Sequence, residues 1–205
     1  MKDLDYFLPK VRARATGVAE PVALDAIRDA AAEFCRRTRL WRFSDQFDVT
    51  ASKACIAVPF GATLLDIERV NFNGCRLDPQ STQWLDDHIE QWRDAPVSGM
   101  PKWFTQTSMN SILIVPAQAG TVKLWVTLSV GQDAEQVPDF MADQYREAIA
   151  NGALWRLLML PGKTFTNPNL AATAKAQFDE VIDSLKSMNA SGQQRAVTGS
   201  RASFL

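Results

Sequence analysis

Three stretches carry residue types that can do chemistry. The single histidine, His88, lies in Asp86-Asp-His-Ile-Glu90. An imidazole beside carboxylates can serve as a general base, but no serine or cysteine nucleophile stands near it in sequence, and its neighbours mark an exposed helix face. Leu160-Pro-Gly-Lys-Thr164 shares its ending with a phosphate-binding loop. It lacks the upstream glycine and follows a helical pattern, whereas that loop requires a preceding strand. A helix C-terminus closed by a proline stop accounts for it better. Cys35, Cys55 and Cys75 show no CxxC spacing. With one histidine in the chain they make no metal-ligand pattern, and they are expected to be reduced, buried or half-buried thiols of a protein that folds in a reducing cytoplasm. The reading is therefore of a protein without catalytic, cofactor-binding or metal-binding residues.

The densest charge run is Cys35-Arg-Arg-Thr-Arg-Leu-Trp-Arg42. Arg36, Arg37, Arg39 and Arg42 fall at the expected end of a helix, where the dipole favours cations. Three readings fit them: solvated or intramolecular ion pairs, a protein interface, or a surface toward DNA, the interleaved Trp41 and Phe43 suiting the last. The 205 residues are 46% hydrophobic and 22% charged with a net charge of −1, ordinary globular composition without the strongly basic balance of a dedicated DNA binder. The first residues have no long apolar core or small-residue cleavage site, so no signal peptide is expected. No run long enough to span a membrane occurs.

The elements that would position these residues follow from periodicity. Residues 3–14 read as a short helix. A longer one is expected from Glu20 to Trp41, with Pro21 in its first turn and Leu24, Ile27, Ala31 and Phe34 as its apolar stripe. From about Phe47 the period shortens to that of strands, at Ala54–Val58 and Thr63–Val70. Asn73-Gly74 is a strong two-residue hairpin signal, pairing Ile67–Val70 with Cys75–Leu77. Ser81–Arg93 reads as a surface helix capped by Ser81 or Thr82, with Trp84, Leu85, Ile89 and Trp92 inward. Ser111–Val115 and Thr121–Val130 read as strands with a turn at Gln118–Thr121. Val122, Leu124, Val126 and Leu128 share one face of the second. One helix is expected over Pro138–Leu160 and another from Pro168 or Asn169 to about Met188. Gly152 inside the former costs about 1 kcal/mol against alanine, and close packing on the first long helix would compensate.

The predicted fold class is α+β: a helical bundle body from residues 1–46 and 138–189, an inserted, projecting antiparallel β region at 47–137, and an extended C-terminal arm at 190–205. The arm is polar and Gly/Ser-rich and cannot build a core.

The stretches Pro21–Thr38 and Tyr145–Lys163, followed by Pro168–Ala171 and Phe178, together with Val70-Asn-Phe-Asn-Gly74 and Leu77, resemble the head-to-tail adaptor (connector) proteins of tailed bacteriophages. The resemblance covers roughly residues 4–188. It implies a non-enzymatic virion protein, assembled in the bacterial host cytoplasm and located at the neck. Such a protein forms a ring, commonly a dodecamer, between the portal protein and a tail tube or nozzle protein. It lines the channel through which genomic DNA passes without sequence-specific binding. It also implies that the arm, with Arg195, Val197, Arg201, Phe204 and Leu205, grips the portal. A ring needs two different faces on each subunit. Arg36, Arg37, Arg39 and Arg42 on one side, and the acidic surface Asp133, Glu135, Asp139, Asp143 and Glu147 on the other, are the candidates, with Asp139 and Asp143 foremost. A tail-completion or tail-tube protein, and a DNA-binding packaging accessory, are the alternatives.

Overall fold

A computed structural model of the chain describes residues 1–49, 53–90, 92–93 and 99–191. The elements in order are β1 (Lys2–Asp3), a 3-10 turn (Leu4–Phe7), α1 (Leu8–Arg12), α2 (Glu20–Thr38), β2 (Arg42–Val49), β3 (Lys53–Cys55), β4 (Ala62–Phe72), β5 (Cys75–Pro79), α3 (Thr82–His88), β6 (Trp103–Thr105), β7 (Ser111–Val115), β8 (Gly120–Val130), β9 (Gln136–Val137), α4 (Asp139–Gln144), α5 (Arg146–Leu158) and α6 (Pro168–Ser191). The class is mixed α+β, and the chain divides into two units, Met1–Leu40 with Ser129–Leu205, and Trp41–Leu128. Among the described residues, no helix is long and apolar enough to cross a membrane.

The first unit is organised around α5. Every residue from Ala148 to Leu154 is buried, so this helix is packed on nearly all sides and not along one stripe. That is possible because four of the seven are Ala148, Ala150, Gly152 and Ala153. Small side chains let neighbouring helix axes approach closely. Gly152 meets both neighbours: a Cβ added there would lie 2.9 Å from the Ala30 Cβ of α2 and 2.9 Å from the Phe178 ring of α6. The expected compensation for this glycine is therefore present, and α6 shares in it. On α2 the buried face is Ala23, Ala26, Ile27, Ala30, Ala31, Phe34, Cys35 and Thr38. Leu24, placed in the stripe by its spacing, is only half-buried at the edge. On α6 the buried face is Ala171, Ala174, Phe178, Ile182 and Leu185. Asn167 caps that helix, its Oδ1 accepting the Leu170 N–H at 3.1 Å.

Several expected boundaries move. Residues 3–14 form a two-residue strand, a 3-10 turn and a single helical turn and a half, because Lys2 and Asp3 pair with Val137 and Gln136. The helix expected over Pro138–Leu160 is two helices. Tyr145 breaks it with φ −121° and ψ 19°, and its ring lies against Phe34, centroids 5.0 Å apart. The first long helix stops at Thr38, not Trp41. Arg39 takes a left-handed conformation, φ 53° and ψ 32°, and donates its N–H to the Cys35 carbonyl. From Arg42 onward the backbone is instead paired to β8, Arg42 opposite Thr127 through Val49 opposite Gly120. Eight residues of ladder outweigh the roughly 1–2 kcal/mol that one left-handed residue costs.

The second unit holds the main sheet, of strand order β2-β8-β4-β5-β6-β7-β3. The Asn73-Gly74 hairpin is present. Both residues have positive φ, 45° and 85°, as a type I′ turn requires, and the ladder runs Val70–Leu77, Asn71–Arg76 and Phe72–Cys75. Val122, Leu124, Val126 and Leu128 are fully buried on one face of β8. The expectation of a purely antiparallel insertion is corrected, because β5 and β6 pair in parallel, Asp78 opposite Trp103. Their connection carries α3, and a crossover of that length returns the chain to the same end of the sheet. The strands flanking Gln118–Thr121 are not neighbours in the sheet: β7 lies between β6 and β3, while β8 lies between β2 and β4. Helix α3 is shorter than expected, but Ser81 caps it, accepting the Trp84 N–H at 3.1 Å. Leu85 and Trp92 form a small core with Val115, against which Trp84 and Ile89 pack.

The packing at Gly152 gives a direct prediction. Gly152→Ala gains about 1 kcal/mol of helix propensity but forces α5 away from Ala30 and Phe178, an overpacking cost of about 1–3 kcal/mol. Thermal or urea unfolding of the variant should show net destabilisation of up to about 2 kcal/mol.

Candidate functional site

The residues singled out for chemistry are held in structural roles. The His88 ring stacks on Trp84, centroids 4.3 Å apart and planes 9° from parallel, and its Nδ1 lies 2.9 Å from the Trp84 carbonyl. The Pro161-Gly-Lys-Thr164 stretch is a helix stop. Gly162 has φ 69°, the Lys163 N–H donates to the Thr166 hydroxyl at 3.1 Å, and the Asn167 N–H returns to the Leu158 carbonyl at 3.0 Å. Cys35 is buried with its Sγ 3.7 Å from the Met141 sulfur, and burial pushes its thiol up to about 12. Cys75 is exposed, against the expectation of a buried or half-buried thiol, because it follows directly on the hairpin tip. Among the described residues, no group of three histidine, cysteine or carboxylate side chains is placed to hold a metal.

The arginine run is split by the left-handed residue. Arg36 and Arg37 sit in the last turn of α2, Arg39 caps it, and Arg42 opens β2. The expectation of four arginines at one helix end is therefore corrected. Arg37 is committed inside its own unit. It reaches Glu33 one turn back at 3.2 Å, Asp179 on α6, and Asp183 at 3.9 Å. Glu33 also binds Arg156 of α5, and Lys175 binds Asp179 at 2.6 Å. This half-buried network joins α2, α5 and α6. Lys175 and Arg37 together hold the Asp179 carboxyl below its ordinary range, and the bond to Asp179 raises the Arg37 guanidinium. Arg42 bonds Glu68 at 3.1 Å.

The acidic surface is similarly divided. Asp139 meets the Met1 ammonium at 2.9 Å. Glu147 meets Lys10 at 2.7 Å and Arg14 at 3.4 Å, and Lys10 leads in lowering its carboxyl. The Glu135 carbonyl accepts the Leu4 N–H. Arg36, Asp133, Glu135 and Asp143 are exposed, and among the described residues their side chains have no hydrogen-bond or ion-pair partner. They are what remains of the two candidate faces for contacts outside the chain. The arm residues Arg195, Val197, Arg201, Phe204 and Leu205 lie outside the described residues.

Sequence reasoning missed the network. Glu33–Arg37 and Lys175–Asp179 are spaced four apart and legible as helix pairs. Arg37 and Asp179 are 142 positions apart, and nothing in one sequence joins them. The shared face of Lys123 and Trp125 on β8 follows from the alternation, but that Arg69 of β4 joins it does not: the Arg69 guanidinium and the Lys123 ammonium lie 5.2 Å and 5.1 Å from the Trp125 ring centroid.

Set against known families, residues 5–202 match the one described as SU10 adaptor protein. None of the curated proteins matches the chain.

The network makes stability depend on acid. The Asp179 carboxyl is depressed in the folded chain relative to an ordinary aspartate near 3.8. The stability it adds is thus fully present above that range and is lost as pH falls through the lower folded value. Asp179→Asn should cost about 1–2 kcal/mol at neutral pH, between the exposed and buried limits for ion pairs. In melts recorded against pH, the gap between variant and wild type should close in strong acid.

Proposed function

Since the chain belongs to the SU10 adaptor protein family, a bacteriophage structural family matched over nearly its whole length, we propose that this virion component is the head-to-tail joint of its phage. In this reading it forms a ring, a dodecamer by analogy with the resemblance, seated on the portal protein. The ring receives a tail tube or nozzle protein and surrounds the path of the DNA. It acts by fit between subunits and not by turnover. The helices of the first unit serve as the body, and residues 192–205 serve as the segment that grips the portal.

The observation that carries this reading is the match itself, which runs through both terminal helical segments and the inserted strands. The charged surface supports it. Arg36 on α2 is an exposed cation, and Asp133 and Asp143 are exposed anions, left over after the internal pairs form. Unpaired charges of opposite sign on different elements suit a heterologous contact that closes into a ring. The association is expected to be weak before the portal is met, because ordering a polar tail has an entropic cost.

Charge reversal and rescue test the contact. Arg36→Glu should lower co-sedimentation of the chain with purified portal rings while leaving its melting temperature unchanged. Adding Asp143→Lys should restore binding. Unaltered co-sedimentation of the single variant would remove Arg36 from the interface.

A further inference from the structure

The β2–β8–β4 part of the second unit has one apolar and one polar face, and the polar face is chemically specific. The register sets Arg42, Ser44, Gln46 and Asp48 of β2 opposite Thr127, Trp125, Lys123 and Thr121 of β8. On the same face Arg69 reaches across from β4 to the Trp125 ring, and Asn71 follows two residues on, its Oδ1 accepting from Arg69 Nε at 2.9 Å. Arg76 of β5 stands opposite Asn71. Two cations, Arg69 and Lys123, thus lie against one half-buried tryptophan, with Arg42 and Arg76 further along the same face. Of the carboxylates nearby, Asp48 is held by the Thr121 hydroxyl at 2.6 Å and Glu68 by Arg42 at 3.1 Å. Among the described residues, Arg69, Arg76 and Lys123 have no carboxylate partner, and all three are exposed. Beside them, Gln46, Asn71, Asn73, Gly74, Thr121 and Lys123 line a concavity of about 380 Å³.

We propose that this face, centred on Arg69, Trp125 and Lys123, is the surface that meets the phosphate backbone of duplex DNA. Charge complementarity selects the occupant. Cations on a strand pitch can each meet a phosphate, and side-chain amides and hydroxyls donate to phosphate oxygens without reading sequence. The tryptophan helps hold two of the cations in place by cation–π attraction. Contacts of this kind are individually weak and add up when several copies surround one duplex. The inference deepens the adaptor reading and rests on it for the source of the DNA. It replaces the arginine run at the end of α2, which the fold splits, as the DNA-facing element.

The test is elution of the full chain from a duplex-DNA column in a salt gradient, with titration of a labelled duplex at several salt concentrations. The wild type should be retarded, and log affinity should fall with log salt, since phosphate contacts release counterions. The variant Arg69→Gln with Lys123→Gln should elute earlier, and its salt slope should be shallower by about two, one for each contact removed. Lys163→Gln, with Lys163 an exposed cation of the first unit, should elute with the wild type. Circular dichroism checks that each variant is folded. A double variant that is folded and elutes with the wild type overturns the proposal, as does a wild type that is not retarded. If the double variant is misfolded, the wild-type salt slope decides: a slope near zero overturns the proposal. Co-sedimentation with portal rings is read on the same proteins. Loss of portal binding with DNA retention intact defeats the adaptor reading alone, and loss of DNA retention with portal binding intact defeats this one alone.

Discussion

The close approach of three helices at Gly152 is the constraint on which the first unit depends. A hydrogen in place of a methyl group lets α5 meet Ala30 of α2 and Phe178 of α6 together. That proximity brings Glu33 and Arg37 on α2 within reach of Arg156 on α5 and Asp179 on α6. Without it, the pairs within one helix, Glu33–Arg37 and Lys175–Asp179, would remain, but those between helices, Arg37–Asp179 and Glu33–Arg156, would be lost. The apolar contact and the ionic one are therefore a single device, the first setting the distance at which the second can form. The ion pairs in turn determine which charges are left for other molecules, since Arg37, Asp139 and Glu147 are engaged within the chain.

A second constraint organises the inserted unit. Strand β8 is apolar on one side, through Val122, Leu124, Val126 and Leu128, and carries Lys123 and Trp125 on the other. Alternation of this kind buries one face of the sheet and frees the other. What is freed is a row of cations and amides around an aromatic ring. The functional inferences both rest on this distinction between charges consumed by the fold and charges left exposed by it.

Much of the fold was legible in the sequence. The alternation of β8, the Asn73-Gly74 turn and the Ser81 cap follow from local periodicity and turn chemistry, and each is where those rules place it. The glycine in α5 was legible as a packing signal. What was not legible depends on contacts far apart in the chain. The break at Tyr145 follows from a ring seated against Phe34 of another helix. The end of α2 follows from competition with a ladder to β8, and the parallel pairing of β5 with β6 from the path of a crossover. The interface candidates suffered in the same way. Arg36 and Arg37 are neighbours of identical type, and only the position of Asp179 separates the engaged one from the exposed one.

The central claim is that this chain works as a joint between other virion proteins. Electron microscopy of purified portal rings mixed with the chain tests it most directly. The account predicts an added layer of density on one end of each ring, with the symmetry of the portal. Rings that stay undecorated at saturating concentrations of folded chain would contradict it.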